Sequence, residues 1–252
     1  MISLRYFLAL CGRALAGCAQ TCAMVIEKGK PQRTQRTQRG VFFVLFAFFA
    51  VVLCTAEAAP ATSSVAARPR VVILGDSITA GHGLSPSDAY PAVLQAKIDA
   101  AHLNYQVVNA GVSGDTTAGG LRRVDWALSA GAKVLVIALG GNDGLRGLSP
   151  KQTEENLNGI IQKAKAKVPG LIVIVAGMQM PASMGADFAK AYSELFPQVA
   201  KANGAALVPS LLKDVGGIEK LNQADFIHPT AEGQKKVAEN VWAVLQGALA
   251  AQ

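Results

Sequence analysis

The chain has 252 residues, is 51% hydrophobic and 16% charged, and carries a formal net charge of +7. Seven of its 24 basic residues and two of its 17 acidic residues precede position 59, so the remainder carries only +2. The basic balance belongs largely to the N-terminal stretch and is poor ground for nucleic-acid binding. The four cysteines (Cys11, Cys18, Cys22 and Cys54) also precede position 59, which excludes a disulfide, a thiolate nucleophile and cysteine-ligated zinc from everything after it.

Residues 1–58 read as a leader. Lys28, Lys30, Arg33, Arg36 and Arg39 precede an uninterrupted apolar run of 14 residues from Val41 to Cys54, followed by Ala56-Glu57-Ala58. A basic segment, an apolar segment and a small-x-small site in that order form a secretory signal cleaved after Ala58. As a helix the apolar run would reach about 21 Å, short of a bilayer core of about 30 Å. Cleavage is therefore the expectation, and a membrane tether through an uncleaved leader the alternative. Leu15-Ala16-Gly17-Cys18 has the form of a lipoprotein box, but Arg13 interrupts the apolar stretch before it. That match is read as accidental, or as upstream of a start at Met24. Residues 59–69, rich in Ala, Ser, Thr and Pro, read as a linker.

From residue 70 the chain alternates between two periodicities. Strand-like runs are Val71–Leu74, Tyr105–Asn109, Val134–Leu139, Leu171–Ala176 and Ala205–Val208. Helical stretches fall near 88–101, 117–130, 150–167, 186–203 and 230–249. Ser149-Pro150 with Gln152 predicts a capping box with proline at the first helical position, and Pro169-Gly170 closes that helix. Strands alternating with helices predict one α/β domain over 70–252: a flavodoxin-like, three-layer α/β/α fold with a five-stranded parallel sheet in the order 2-1-3-4-5. In such a sheet a ligand binds at the carboxyl ends of the strands, where the strand order reverses.

The segments just after the strands are the polar, glycine-rich ones: Gly75-Asp76-Ser77, Gly111 to Thr116 and Gly140 to Gly144. The fifth strand leads on to Asp225-Phe226-Ile227-His228-Pro229. Serine hydrolysis needs a hydroxyl, a base, a group that orients the base and donors for an oxyanion. Ser77 offers the hydroxyl. Of the three histidines, His82 lies in a glycine-flanked loop and His102 late in a helical stretch, and both read as solvated structural residues. His228 has Asp225 three positions earlier, so one loop can present imidazole and carboxylate together. Asn142 offers an amide donor beside two glycines, and Gly114 and Ser77 offer backbone N–H groups; a well-aimed oxyanion donor is worth about 3–4 kcal/mol. Singly, Gly-Asp-Ser is a turn tripeptide and Asp-x-x-His a surface loop. Their weight comes from three polar loops that follow three successive strands, with an acid–base pair in the last loop.

In order and spacing these segments resemble the GDSL (SGNH) hydrolase family. Gly75-Asp76-Ser77-Ile78 matches the nucleophile block with Ile for the usual Leu, Gly114 the second block, Asn142 the third, and Asp225 with His228 the last. Val107 to Ala110, Gly114-Asp115-Thr116, the run GGNDGLRG from Gly140 to Gly147, and Met180-Pro181-Ala182 are similar to the bacterial periplasmic thioesterase/arylesterase/lysophospholipase branch. The resemblance implies Ser77 as nucleophile, Asp225 and His228 as acid and base, Ser77, Gly114 and Asn142 as oxyanion donors, and no cofactor or metal.

For the substrate, Met178, Met180 and Met184 with Pro181 make an adaptable apolar loop after the fourth strand. Such a loop either fills core gaps or receives an acyl chain; the resembling branch favours the second. The expectation is a periplasmic or secreted serine esterase. Its partners would be small acyl esters or thioesters, lipid esters included, with no nucleic acid and no membrane span after cleavage. A carbohydrate or small-ester deacetylase is the alternative, and a non-catalytic binding module on the same scaffold a further one.

Overall fold

A computed structural model describes residues 67–250. The expected leader (1–58) and most of the expected linker (59–66) lie outside the described residues. The chain divides into two units, Met1–Ser64 and Val65–Gln252, and the second contains every described residue.

Five strands, β1 (Arg70–Gly75), β2 (Gln106–Gly111), β3 (Val134–Ala138), β4 (Ile172–Ala176) and β5 (Ala206–Val208), form one sheet in the order β2-β1-β3-β4-β5. All four pairings are parallel. In β1 and β3 the apolar runs are continuous because both sheet faces are covered; Val71, Ile73, Leu74 and every residue of β3 are fully buried. The edge strand β2 is half-exposed, in keeping with its single neighbour.

The helices are α1 (Ser77–Ala80), α2 (Tyr90–Ala100), α3 (Thr117–Ala127), α4 (Gly141–Leu145), α5 (Pro150–Lys167), α6 (Ala186–Ala202) and α7 (Ala231–Ala250). α3 packs on α5 and α5 on α6, while α2 packs on α7. Each long helix buries one stripe: Leu157, Ile160, Ile161 and Ala164 in α5, and Val237, Val241, Leu245 and Leu249 in α7. A fully buried side chain of this kind contributes about 1.5–3 kcal/mol. Among the described residues no helix is long and apolar enough to cross a membrane.

Two local expectations need correction. The helix α5 starts at Pro150 as expected, but Ser149 makes no side-chain cap bond. The N–H and hydroxyl of Thr153 both donate to the Ser149 carbonyl instead, so this turn closes through the backbone rather than through a capping box. The helices α1 and α4 were not expected. Each is a single turn that begins directly after a strand, too short to show a periodicity.

A buried polar joint ties the ends of the domain together. Gln234 of α7 donates its amide to the Ile78 carbonyl at 3.0 Å and accepts from the Tyr90 N–H at 2.9 Å. The Tyr90 hydroxyl meets Thr79 Oγ1 at 2.9 Å. All three side chains are at most 1% exposed, so the final helix is fastened to α1 by satisfied hydrogen bonds in a dry setting.

Candidate active site

Ser77 is the first residue of α1, directly after β1, and is 9% exposed. Asp76 caps this short helix by accepting from the Ile78 N–H at 3.0 Å. Burial pushes the Asp76 carboxyl up to about 6, against the pull of that backbone bond and of His228 nearby. Gly75 carries no side chain because a Cβ there would lie 1.9 Å from Thr79 Oγ1, so the strand-to-helix turn is as tight as sterics allow.

His228 reaches this hydroxyl from a loop 151 positions further along, with Nε2 2.9 Å from Ser77 Oγ. Its Nδ1 lies 2.6 Å from Asp225 Oδ2. A carboxylate only accepts, so Nδ1 carries the proton and Nε2 presents its lone pair to the serine hydroxyl. The other carboxylate oxygen, Oδ1, accepts from the N–H groups of Ile227 and His228 at 2.9 and 3.0 Å. The bond from His228, followed by these two backbone bonds, holds the Asp225 carboxyl well below the usual carboxylate range. The loop closes this tightly because Phe226 adopts the left-handed region at φ +58°.

Three groups keep an N–H hydrogen without an acceptor among the described residues. The Ser77 N–H opens α1 and has no intrahelical partner. Gly114 stands in a turn at φ +77° with its N–H unpaired among the described residues. Asn142 lies in α4, where its Nδ2 donates one hydrogen to the Asp115 carbonyl at 2.9 Å. That bond orients the amide and leaves its second hydrogen for a ligand.

Sequence reasoning missed the residues that hold these donors in place. Arg123 of α3 donates to Asp115 Oδ2 at 2.7 Å, to the Ala110 carbonyl at 2.7 Å and to the Gly75 carbonyl at 2.8 Å. One guanidinium thus joins the ends of β1 and β2 to the residue after Gly114. Asp143, 1% exposed, accepts from both the N–H and the hydroxyl of Thr117 and so pins α4 to the start of α3. Its place in a Gly-Asn-Asp-Gly run was the only local signal. His82 is exposed, as expected, yet its ring centroid lies 4.5 Å from that of His228. His102 is exposed at the end of α2, with φ +55°.

A groove of about 1110 Å³ adjoins the site. Its walls include the immediate neighbours of Ser77, Asn142 and His228, namely Ile78, Gly141 and Ile227. Met178, Met180 and Pro181 line it as well, whereas Met184 lies apart on the 3-10 turn Ala182–Met184 and is not in its wall. Met180 is also packed on α4: a Cβ on Gly144 would lie 2.3 Å from its sulfur. Among the described residues no cluster of His, Cys, Asp or Glu is placed to hold a metal ion.

The model of the GDSL-like lipase/acylhydrolase family matches residues 73–236. Over 199 residues the chain is 43% identical to the esterase TesA of Pseudomonas aeruginosa, an alignment that covers 78% of this chain and 94% of that protein. It is 36% identical over 179 residues to thioesterase 1/protease 1/lysophospholipase L1 of Escherichia coli, covering 71% and 84%. A crystal structure of TesA superimposes with a TM-score of 0.68 at 42% identity, covering 71% of this chain and 99% of that one.

Proposed function

The chain belongs to the GDSL-like lipase/acylhydrolase family, and on that premise we propose that it is a serine esterase that cleaves acyl esters or thioesters through an acyl-enzyme on Ser77. The observation that carries the assignment is the unbroken chain from Asp225 through His228 to the Ser77 hydroxyl, with contacts of 2.6 and 2.9 Å. His228 Nε2 takes the hydroxyl proton as Oγ attacks the acyl carbonyl, and Asp225 holds the imidazole in the required tautomer and stabilises its cation. The N–H groups of Ser77 and Gly114 and the free hydrogen of Asn142 hold the oxyanion. His228 then protonates the departing alcohol or thiol. A water deprotonated by the same nitrogen attacks the acyl-enzyme, the acid leaves and Ser77 regains its proton.

The groove supports an acyl-chain substrate. Ile78, Leu145, Met178, Met180, Pro181 and Ile227 give it an apolar wall suited to a flexible chain. The names of the relatives, esterase and thioesterase/lysophospholipase, support the same class. Hydrolysis of p-nitrophenyl esters by the wild type and by Ser77→Ala tests the assignment: turnover vanishes in the variant, and retained turnover removes it. A series of those esters from acetyl to long chains tests the groove. A large preference for acetyl would replace the acyl-groove reading with a deacetylase.

The basic segment, the apolar run 41–54 and Ala56-Glu57-Ala58 support export with cleavage after Ala58, which places the enzyme in the periplasm or outside the cell. N-terminal sequencing of the protein recovered from that compartment tests this. An intact leader in the membrane fraction would favour a tether.

A further inference from the structure

The contact between Ser77 and His228 joins the start of α1 to a loop 151 positions further along, and it depends on how that loop is held against the loop that follows α1. Asp225 and Ser77 engage the two ring nitrogens of His228 and so hold the ring at its edge. Nothing in that pair fixes the tilt of the ring or the gap between the loops. Two side chains outside the reacting set do both.

Gln223 spans the gap. Its backbone N–H donates to the His228 carbonyl at 2.7 Å. Its side-chain nitrogen donates to the Pro229 carbonyl at 3.0 Å and to the His82 carbonyl at 2.8 Å. A primary amide has two N–H hydrogens, so one goes to each loop. The space for this amide is reserved: a Cβ on Gly83 would lie 2.4 Å from Gln223 Oε1, and Gly83 sits at φ +76°.

His82 controls the face of the ring. Its N–H donates to the carbonyl of Ser77 itself at 3.0 Å, so its position is tied to the nucleophile. Its imidazole packs against that of His228 with centroids 4.5 Å apart and planes inclined at 41°. The residue that looks like a solvated loop histidine therefore backs the base.

We infer that His82 and Gln223 are positioning residues that hold the His228 imidazole at Ser77, His82 through its ring face and Gln223 by joining the two loops. The inference rests on the proposed roles of Ser77 and His228. A base that rocks about its ring axis loses alignment with Oγ and with Asp225 together, which lowers the rate of the chemical step and leaves acyl binding untouched.

The test is steady-state kinetics on a p-nitrophenyl ester with His82→Ala, His82→Phe, Gln223→Ala and Gln223→Glu, beside Ser77→Ala. His82→Ala lowers kcat about three- to tenfold, with KM within about twofold of wild type. His82→Phe restores most of that loss, because the ring rather than its nitrogens is required. Gln223→Ala lowers kcat about tenfold. Gln223→Glu, similar in shape but offering acceptors to two carbonyls, does at least as badly. The rate of Ser77 labelling by a fluorophosphonate follows kcat in every variant, including any whose thermal midpoint drops. Wild-type kcat in His82→Ala, or a loss in His82→Phe as large as in His82→Ala, overturns the role of the ring. A change in KM alone overturns it too, since His82 would then be a wall of the substrate site. Wild-type kcat in Gln223→Glu overturns the role of the amide. Turnover retained by Ser77→Ala would instead overturn the underlying assignment, whatever the other variants do.

Discussion

The two halves of the site are built differently. The side that carries Ser77, the proposed nucleophile, rises from strand ends and rests on a dry footing: Asp76, Thr79, Thr117 and Asp143 are at most 2% exposed, and each has a hydrogen-bond partner. The acid–base side is a surface loop in which the Asp225 side chain is 42% exposed and Phe226 59% exposed. The donors must be fixed before charge develops on the oxyanion, because reorganisation during the reaction would cancel their benefit. The imidazole, in contrast, has in the proposed mechanism to move a proton in and out in every cycle. The arrangement sets a hydrogen-bonded, buried footing beneath Ser77 against a surface loop that carries Asp225 and His228.

That separation predicts which substitutions cost activity and which cost stability. The largest effect falls on the exposed side: His228→Ala lowers kcat by about 10⁴–10⁶ while the thermal midpoint stays near wild type. A marked loss of stability in this variant would show that the loop supports the fold as well. On the Ser77 side, Asn142→Ala lowers kcat by about 10²–10³, with KM little changed, for loss of one proposed oxyanion donor. Asp143→Ala acts first on the fold, since it strands the buried N–H and hydroxyl of Thr117, which both donate to the Asp143 carboxylate. It destabilises by about 1–3 kcal/mol in denaturant unfolding, with activity falling as α4 loosens.

The last effect is on pH dependence rather than on kcat, as a difference in sign between two carboxylates. Asp76 is raised from the ordinary 3.8 to about 6 by burial. Between pH about 4 and about 6 the native state keeps a proton that the unfolded chain has released, so stability falls as pH rises through that window. Asp76→Asn removes this slope. Asp225 is lowered by its bond to His228, so its contribution is present above the ordinary value and is lost as pH falls through the lower native one. Exposure makes that contribution small. Denaturant midpoints measured from pH 3 to 7 distinguish the two, and a slope between pH 4 and 6 that survives in Asp76→Asn would remove the burial argument.

Much of the frame was legible in the chain. The apolar runs that became β1 and β3 are buried on both faces, so their strand character is written in consecutive residues. The helix α5 begins at Pro150 because the fixed φ of proline suits the first helical turn. The polar loops that end successive strands drew attention to Ser77, Gly114 and Asn142, and the spacing of Asp225 and His228 suggested one loop for both. What stayed hidden depends on contacts between remote segments. Arg123 reads as one of many helical basic residues until its bonds to Gly75 and Ala110 are seen, and Gln223 shows no pattern at all. His82 looked solvated because exposure is a property of its own loop, while its packing depends on a loop 146 positions away. Met184 shares its loop with Met178 and Met180, and composition alone could not separate a residue on a 3-10 turn from those in the groove.

The amide of Gln234 makes the last described helix answerable for the first turns of the domain. Its partners, the Ile78 carbonyl and the Tyr90 N–H, stand 156 and 144 positions earlier in the chain. A chain cut before Gln234 would strand both groups in a dry setting, at about 1–3 kcal/mol each, so the segment that carries Ser77 loses part of its anchorage when α7 is lost.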